Sequence, residues 1–183
     1  MSSHAMFEGL ESRQLLAGFT VTNTRDAGAG SLRQAVLDAN AAAGADVIEF
    51  SSGLAGTIAL SSGELNVSDS LSINGPGANA LAVNAGSASR VLNFTSGTSF
   101  LRRLQITRGS ATAGAGVANA GTLTIEACDI SSNSAVAGGA IANTGTLTAL
   151  GSTFAYNSAS GSGGGLFNDS GAGMSLLNCT ISL

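Results

Sequence analysis

The stretch Ser99 to Gly109, SFLRRLQITRG, carries the densest charge in the sequence: Arg102, Arg103 and Arg108. Three guanidiniums so close together could dock an acidic surface polysaccharide, because each offers a planar fork of hydrogen-bond donors. The plainer reading is three arginines on solvated strand faces, with Leu101, Leu104 and Ile106 turned inward. Paired carboxylates are harder to find. Glycoside hydrolysis needs two of them ~5 to 10 Å apart. Glu64, Asp69, Glu126, Asp129 and Asp169 are scattered, and no two of them share a repeat position. A lyase base is lacking as well, since the chain has no lysine and no acidic cluster for Ca²⁺. The one histidine, His4, lies in Met1 to Ala5, a stretch read as a cloning residue. No histidine triad or zinc site is therefore expected. The GAGAG-like runs are not followed by Gly-Lys-Ser/Thr, so they are not phosphate loops. The reading is of no catalytic residue, no metal and no cofactor.

What could position any of these side chains is set by an unusual composition. Of 183 residues 26 are glycine, about twice the ordinary share. Charged residues make up 10% and hydrophobic residues 44%, a balance that argues against disorder. A net charge of −4 makes a nucleic-acid partner unexpected. No run of 18 or so apolar residues exists, so no transmembrane helix is expected.

The chain repeats itself. TLTIEACDISSNSA, from Thr122, aligns without a gap on TLTALGSTFAYNSA, from Thr146, at a shift of 24. GAGVAN, GGAIAN and GGGLFN then bring Asn119, Asn143 and Asn168 into one column, and Asn133 and Asn157 into another. Each unit holds short apolar alternations divided by Gly, Ser, Asn and Thr turns, the pattern of strands of three to five residues. Such a unit cannot bury its apolar side chains alone and must stack on its neighbours. The aligned asparagines read as ladders bonding from coil to coil. A ligand-binding polar stripe is the rival reading. Cys128, Ser152 and Cys179 share a column, which places the cysteines two ~4.8 Å steps apart, too far for a disulfide. Two free, buried thiols are expected.

Upstream, DVIEF, TIAL and ELNV, then SLSING, ALAVN and RVLNF, fit three-strand coils more loosely. Counting from Val47, the expectation is five to six coils, the last incomplete at Leu183. GSLRQAVLDANAAAG is the one helical stripe, with Leu32, Ala35, Val36 and Ala39 at i, i+3, i+4 and i+7. Ser31 reads as its N-cap and Gly44 as its stop. FTVTNT reads as a strand before it. Open solenoid ends expose core and unpaired edges, so this strand and helix read as an N-terminal cap, with an interaction helix as the rival. The domain reading is an N-terminal segment at 1–18, a cap at 19–46 and a β-helix at 47–183.

Three resemblances add to this. FTVTNTRDAGAGSLRQAVLDANAAAGADVIEF resembles the cap of large bacterial surface proteins whose signature runs SLR-x-A, then AN, then a strand beginning with Asp. Ser31, Leu32, Arg33, Ala35, Ala39, Asn40 and Asp46 carry the match. Some members have Cys before the Ser-Leu pair, where this chain has Gly30, so cap chemistry using that Cys is not expected. GGAI (Gly138 to Ile141) and FAYN (Phe154 to Asn157) are similar to the repeat motifs of polymorphic outer membrane proteins. FEGLESRQLLAG resembles a short motif near the N-termini of exported planctomycete proteins. Together these imply an all-β, right-handed parallel β-helix placed outside the cytoplasm.

The expected function is a non-catalytic structural or adhesive module of a larger surface protein, cut before its remaining coils. Its expected partners are other copies of itself, through end-to-end strand edges, or those remaining coils. The alternative is a carbohydrate-binding β-helix, or a degenerate polysaccharide lyase or hydrolase-like domain.

Overall fold

A computed structural model describes residues 16–182; Met1 to Ala5 and most of the export-like motif lie outside the described residues. The strand β1 (Gly18–Val21) and the helix α1 (Leu32–Ala41) come first. The first coil is β2 (Asp46–Phe50), β3 (Gly56–Ala59) and β4 (Leu65–Val67), and the second is β5 (Leu71–Asn74), β6 (Leu81–Asn84) and β7 (Leu92–Phe94). From there each coil has four strands. They are β8 (Thr98–Arg102), β9 (Gln105–Thr107), β10 (Ser110–Ala113) and β11 (Val117–Asn119), then β12 (Thr122–Glu126), β13 (Asp129–Ser131), β14 (Ser134–Ala137) and β15 (Ile141–Asn143). The fifth coil is β16 (Thr146–Leu150), β17 (Thr153–Ala155), β18 (Ser158–Ser162) and β19 (Leu166–Asn168); β20 (Gly173–Leu177) and β21 (Thr180–Ser182) begin a sixth.

Each strand pairs in parallel with its counterpart one coil away, giving four sheets along a parallel β-helix. Sheet A runs β1-β2-β5-β8-β12-β16-β20, sheet B β3-β6-β9-β13-β17-β21, sheet C β4-β7-β11-β15-β19 and sheet D β10-β14-β18. The expected coil count holds, and β1 adds a seventh rung to sheet A. Seven rungs make a stack about 29 Å tall at ~4.8 Å per step.

Residues of like kind line up because successive coils are in register. Ile58, Val83, Ile106, Ile130 and Phe154 form one buried column in sheet B. Ile48, Ile73, Leu101, Ile125 and Ala149 form another in sheet A. Side chains at alternate positions point outward, as strand geometry requires.

The corners hold a feature that glycine counting does not reveal. Arg103, Ala127, Gly151 and Asn178 follow the equivalent residues of sheet A and share φ values of 52°, 51°, 53° and 54°. Arg108, Ser132 and Tyr156, after sheet B, share 53°, 58° and 54°. A left-handed residue costs an L-amino acid roughly 1–2 kcal/mol. Here the stacked ladders on both sides hold it, so the corner is a property of the coil rather than of its residue.

The cap explains the residues of the SLR-x-A…AN pattern one by one. Ser31 Oγ accepts from Gln34 N at 3.1 Å, the N-cap bond, and Leu32, Ala35, Val36 and Ala39 are buried. Arg33 donates to Gly63 O at 2.6 Å and Glu64 O at 2.9 Å, in the loop before β4. Asn40 donates to Asn66 O at 2.8 Å and accepts from Ser68 N at 2.9 Å. Asp46 Oδ1 accepts from Ala17 N at 2.9 Å, tying the start of β1 to the first coil. The helix stops earlier than expected. Ala42 is its C-cap in extended conformation, and Gly44, at φ 113°, shapes the following turn instead.

Asp26, absent from that pattern, completes the staple. Its Oδ1 takes both Nε and Nη2 of Arg33, at 3.1 and 2.8 Å, and its Oδ2 takes Ser61 N, Ser61 Oγ and Ser62 N at 2.9–3.1 Å. Burial alone would raise its pKa, but the bonds from Ser62, Arg33 and Ser61 outweigh it and hold the carboxyl well below the usual range. A depressed carboxylate stabilises the fold above its unfolded pKa of about 4, and that stabilisation is lost as pH falls further. Asp26→Asn is therefore expected to cost about 2 kcal/mol at pH 7, read by urea unfolding, with the gap to the parent chain narrowing below pH 4. A constant gap from pH 7 to pH 3 would exclude this role.

Candidate functional site

The three arginines of SFLRRLQITRG occupy three separate places. Arg102 lies on the outer face of sheet A, 3.0 Å from Glu126 Oε2 and 3.2 Å from Asn74 Oδ1, with its guanidinium 4.5 Å from the Phe100 ring centroid. Arg103 sits at the corner after β8 and donates through Nε to Gly75 O at 3.0 Å. Arg108 occupies the next corner and is exposed. Leu101, Leu104 and Ile106 between them are buried. Asn74 also donates to Glu49 Oε1 at 2.7 Å, so Glu49, Asn74, Arg102 and Glu126 form one polar file across four rungs. The Arg102–Glu126 pair is partly exposed and is worth no more than about 1 kcal/mol. Two of the three cations are thus committed to the protein itself.

The asparagine columns are continuous chains of hydrogen bonds. Asn119 Nδ2 donates to Asn143 Oδ1, and Asn143 Nδ2 to Asn168 Oδ1, each at 2.7 Å. The same amides reach forward to Thr146 O at 3.1 Å and Gly173 O at 2.9 Å in the next coil. In the second column Asn133 Oδ1 accepts from Gly109 N at 2.7 Å, and Asn157 Oδ1 accepts from Asn133 Nδ2 at 3.0 Å. Asn157 Nδ2 donates back to Ile130 O at 2.7 Å. Asn119, Asn133, Asn143 and Asn157 are all buried. These amides satisfy backbone groups that the corners leave unpaired, which burial demands. Upstream, the positions of the first column hold Phe94 and Val67, so the ladder replaces an apolar column partway along the solenoid.

Both cysteines are free. Cys128 is buried, and burial pushes its thiol up to about 11, which makes it a poor nucleophile at neutral pH. Cys179 is only partly buried, a correction to the expectation of two buried thiols. It lies in the sixth coil, over which no described coil is stacked.

The scattered carboxylates are not brought together as a catalytic pair. Glu64 binds Arg90 at 2.6 Å and Asn93 at 3.3 Å, and Glu126 binds Arg102. Asp129 differs. It lies in a cavity of about 500 Å³ on the outer face of sheet B, lined also by Thr57, Asn79 and Gln105. Its Oδ1 is buried without a hydrogen-bond partner, and its Oδ2 has only a long bond, 3.4 Å, from Gln105 Nε2. Thr57, Ala82, Gln105 and Asp129 form one outward column. Their spacings of 25, 23 and 24 hide that column from a search at a fixed repeat length. Among the described residues, no group of three or more His, Cys, Asp or Glu is placed to hold a metal ion. No helix of the described residues is long and apolar enough to cross a membrane.

A scan against protein-family models and a search of curated proteins find no match for this chain.

Proposed function

We propose that this chain is a non-catalytic structural or adhesive solenoid module of an extracytoplasmic surface protein, working by strand-to-strand stacking at its last coil. One contrast carries the reading. The first coil is covered by β1 and α1, whereas the inward columns emerge at the far end. Ile181 is 54% exposed where Phe154, one rung below, is 1% exposed, and Leu176 is 37% exposed over Ala149 at 0%. Among the described residues β18, β19, β20 and β21 have a strand on one side only. Unpaired parallel edges flanking an apolar end are a template for further strands. A second copy of the chain can supply such strands. The likeness of its motifs to those of surface proteins supports the placement outside the cytoplasm.

Sedimentation velocity tests this on the chain as it stands. Reversible, concentration-dependent association is expected, and Leu176→Lys with Ile181→Lys is expected to abolish it while leaving the circular dichroism spectrum unchanged. A strict monomer at all concentrations removes self-stacking as a property of this edge.

A further inference from the structure

We propose that the cavity on the outer face of sheet B binds a neutral, hydroxyl-rich saccharide chain. On sheet A a file of outward polar side chains pairs from rung to rung, Glu49 to Asn74 to Arg102 to Glu126, and nearer sheet C Glu64 pairs with Arg90 and Asn93. In this cavity such side chains do not. Among the described residues its one side-chain to side-chain hydrogen bond is the long contact from Gln105 to Asp129, and Asp129 Oδ1 has no partner. Thr57 and Asn79 are exposed beside them. A half-buried carboxylate with a single long hydrogen bond is short of donors, which a ligand's hydroxyls can supply.

Shape and charge select the class of ligand. The outward column Thr57–Ala82–Gln105–Asp129 spans four rungs, about 14 Å in three ~4.8 Å steps, which suits an extended chain of several sugar units. The segment Ala78 to Ala80 lines one side. Ala78, Ala80 and Ala82 line the cavity beside the polar groups of Thr57, Asn79, Gln105 and Asp129, a mixed surface for the C–H faces and hydroxyls of sugar rings. No arginine lines the cavity, so an acidic polysaccharide would meet Asp129 with no compensating cation. Asp129 Oδ2 keeps only the long bond from Gln105, and the broad terminal torsion of an aspartate lets the carboxylate turn toward a ligand. Asp129 accepts from a pair of sugar hydroxyls, while the Gln105 and Asn79 amides and the Thr57 hydroxyl both donate and accept.

The test is an amide-resolved NMR titration of the chain with neutral hexasaccharides of β-glucan, α-glucan, mannan and galactan, and with an oligogalacturonate as the acidic probe. At least one neutral probe is expected to shift the amides of Ala82, Gln105 and Asp129 saturably, and the acidic probe to bind this cavity at least tenfold more weakly. Asp129→Asn keeps the shape and is expected to weaken the neutral probe about tenfold, as for the loss of one charged hydrogen bond. Ala82→Leu, which fills the cavity, is expected to abolish binding, with the fold of both variants intact by circular dichroism. Replacing Arg102, Arg103 and Arg108 together with Ser is expected to leave binding unaltered. The proposal is overturned if no neutral probe shifts these amides, if Asp129→Asn binds as the parent does, or if the acidic probe binds here as tightly as the neutral ones. Strand-edge stacking of the last coil stands or falls separately.

Discussion

Replacing Asn143 with aspartate is expected to cost at least about 4 kcal/mol at pH 7, close to the whole stability of many small domains. Asn143 is fully buried and donates through Nδ2 to Gly145 O, Asn168 Oδ1 and Gly173 O, at 3.1, 2.7 and 2.9 Å. Its Oδ1 accepts from Asn119. Aspartate keeps the shape but sets a buried negative charge against three acceptor oxygens; Gly145 O keeps its bond from Gly173 N, while Asn168 Oδ1 and Gly173 O lose the donor that Asn143 gives them. Protonation returns one donor, so the variant regains stability as pH falls toward 4, the reverse of the trend expected from Asp26. Asn168, at the exposed end of the same column, donates only to its own loop, to Ala172 O at 2.8 Å and Asp169 O at 3.5 Å. Asn168→Ala is therefore expected to cost about 1 kcal/mol or less. Denaturant unfolding of the two variants at pH 7 and pH 4 reads the contrast. Equal losses at the two positions would mean that the ladder adds nothing beyond its individual turns.

The second large effect is expected at Gly145. A Cβ there would overlap Gly121 O and lie 2.8 Å from the carbonyl carbon and oxygen of Ala120, all backbone of the preceding coil. Backbone atoms in a paired rung cannot step aside as a side-chain tip can. Gly145→Ala is thus expected to cost about 3 kcal/mol or more, through forced separation of two coils. Gly151 looks at first the more sensitive glycine, because its φ is positive. Nothing lies within 4 Å of its added Cβ, and Arg103, Ala127 and Asn178 hold the same corner in other coils. Gly151→Asn is expected to be neutral within about 0.5 kcal/mol, or slightly stabilising through the unfolded chain. Thermal unfolding of the two variants separates the cases; a loss at Gly151 as large as that at Gly145 would refute the assignment of roles.

That pair shows where the sequence is legible and where it is not. The strands at constant spacing of 24, the asparagine columns and the register of Cys128, Ser152 and Cys179 follow from alignment alone. So do the buried stripe of α1 and its Ser31 cap, because periodicity and capping act locally. The left-handed corners at Arg103, Ala127, Arg108 and Tyr156 are invisible, since stacking imposes a conformation that none of these residues prefers. Asp26 escapes notice because its partners, Ser61 and Ser62, are 35 and 36 residues away in a loop with no periodic signal. The cavity at Asp129 escapes for a related reason. Its column crosses coils of unequal length, and its meaning depends on which polar groups lack partners.

The first asparagine column has a head and a tail. Asn119 and Asn143 each give a side-chain hydrogen bond to the asparagine of the coil that follows in the chain, so this part of the column is a one-way relay. A coil formed early offers unsatisfied donors that only the next one, in the same orientation, can meet. Over these three coils, growth away from the capped end is thereby rewarded, while a coil arriving inverted would set donor against donor. The relay thus acts as a vectorial template, biasing the chain to wind up in the order in which a ribosome delivers it.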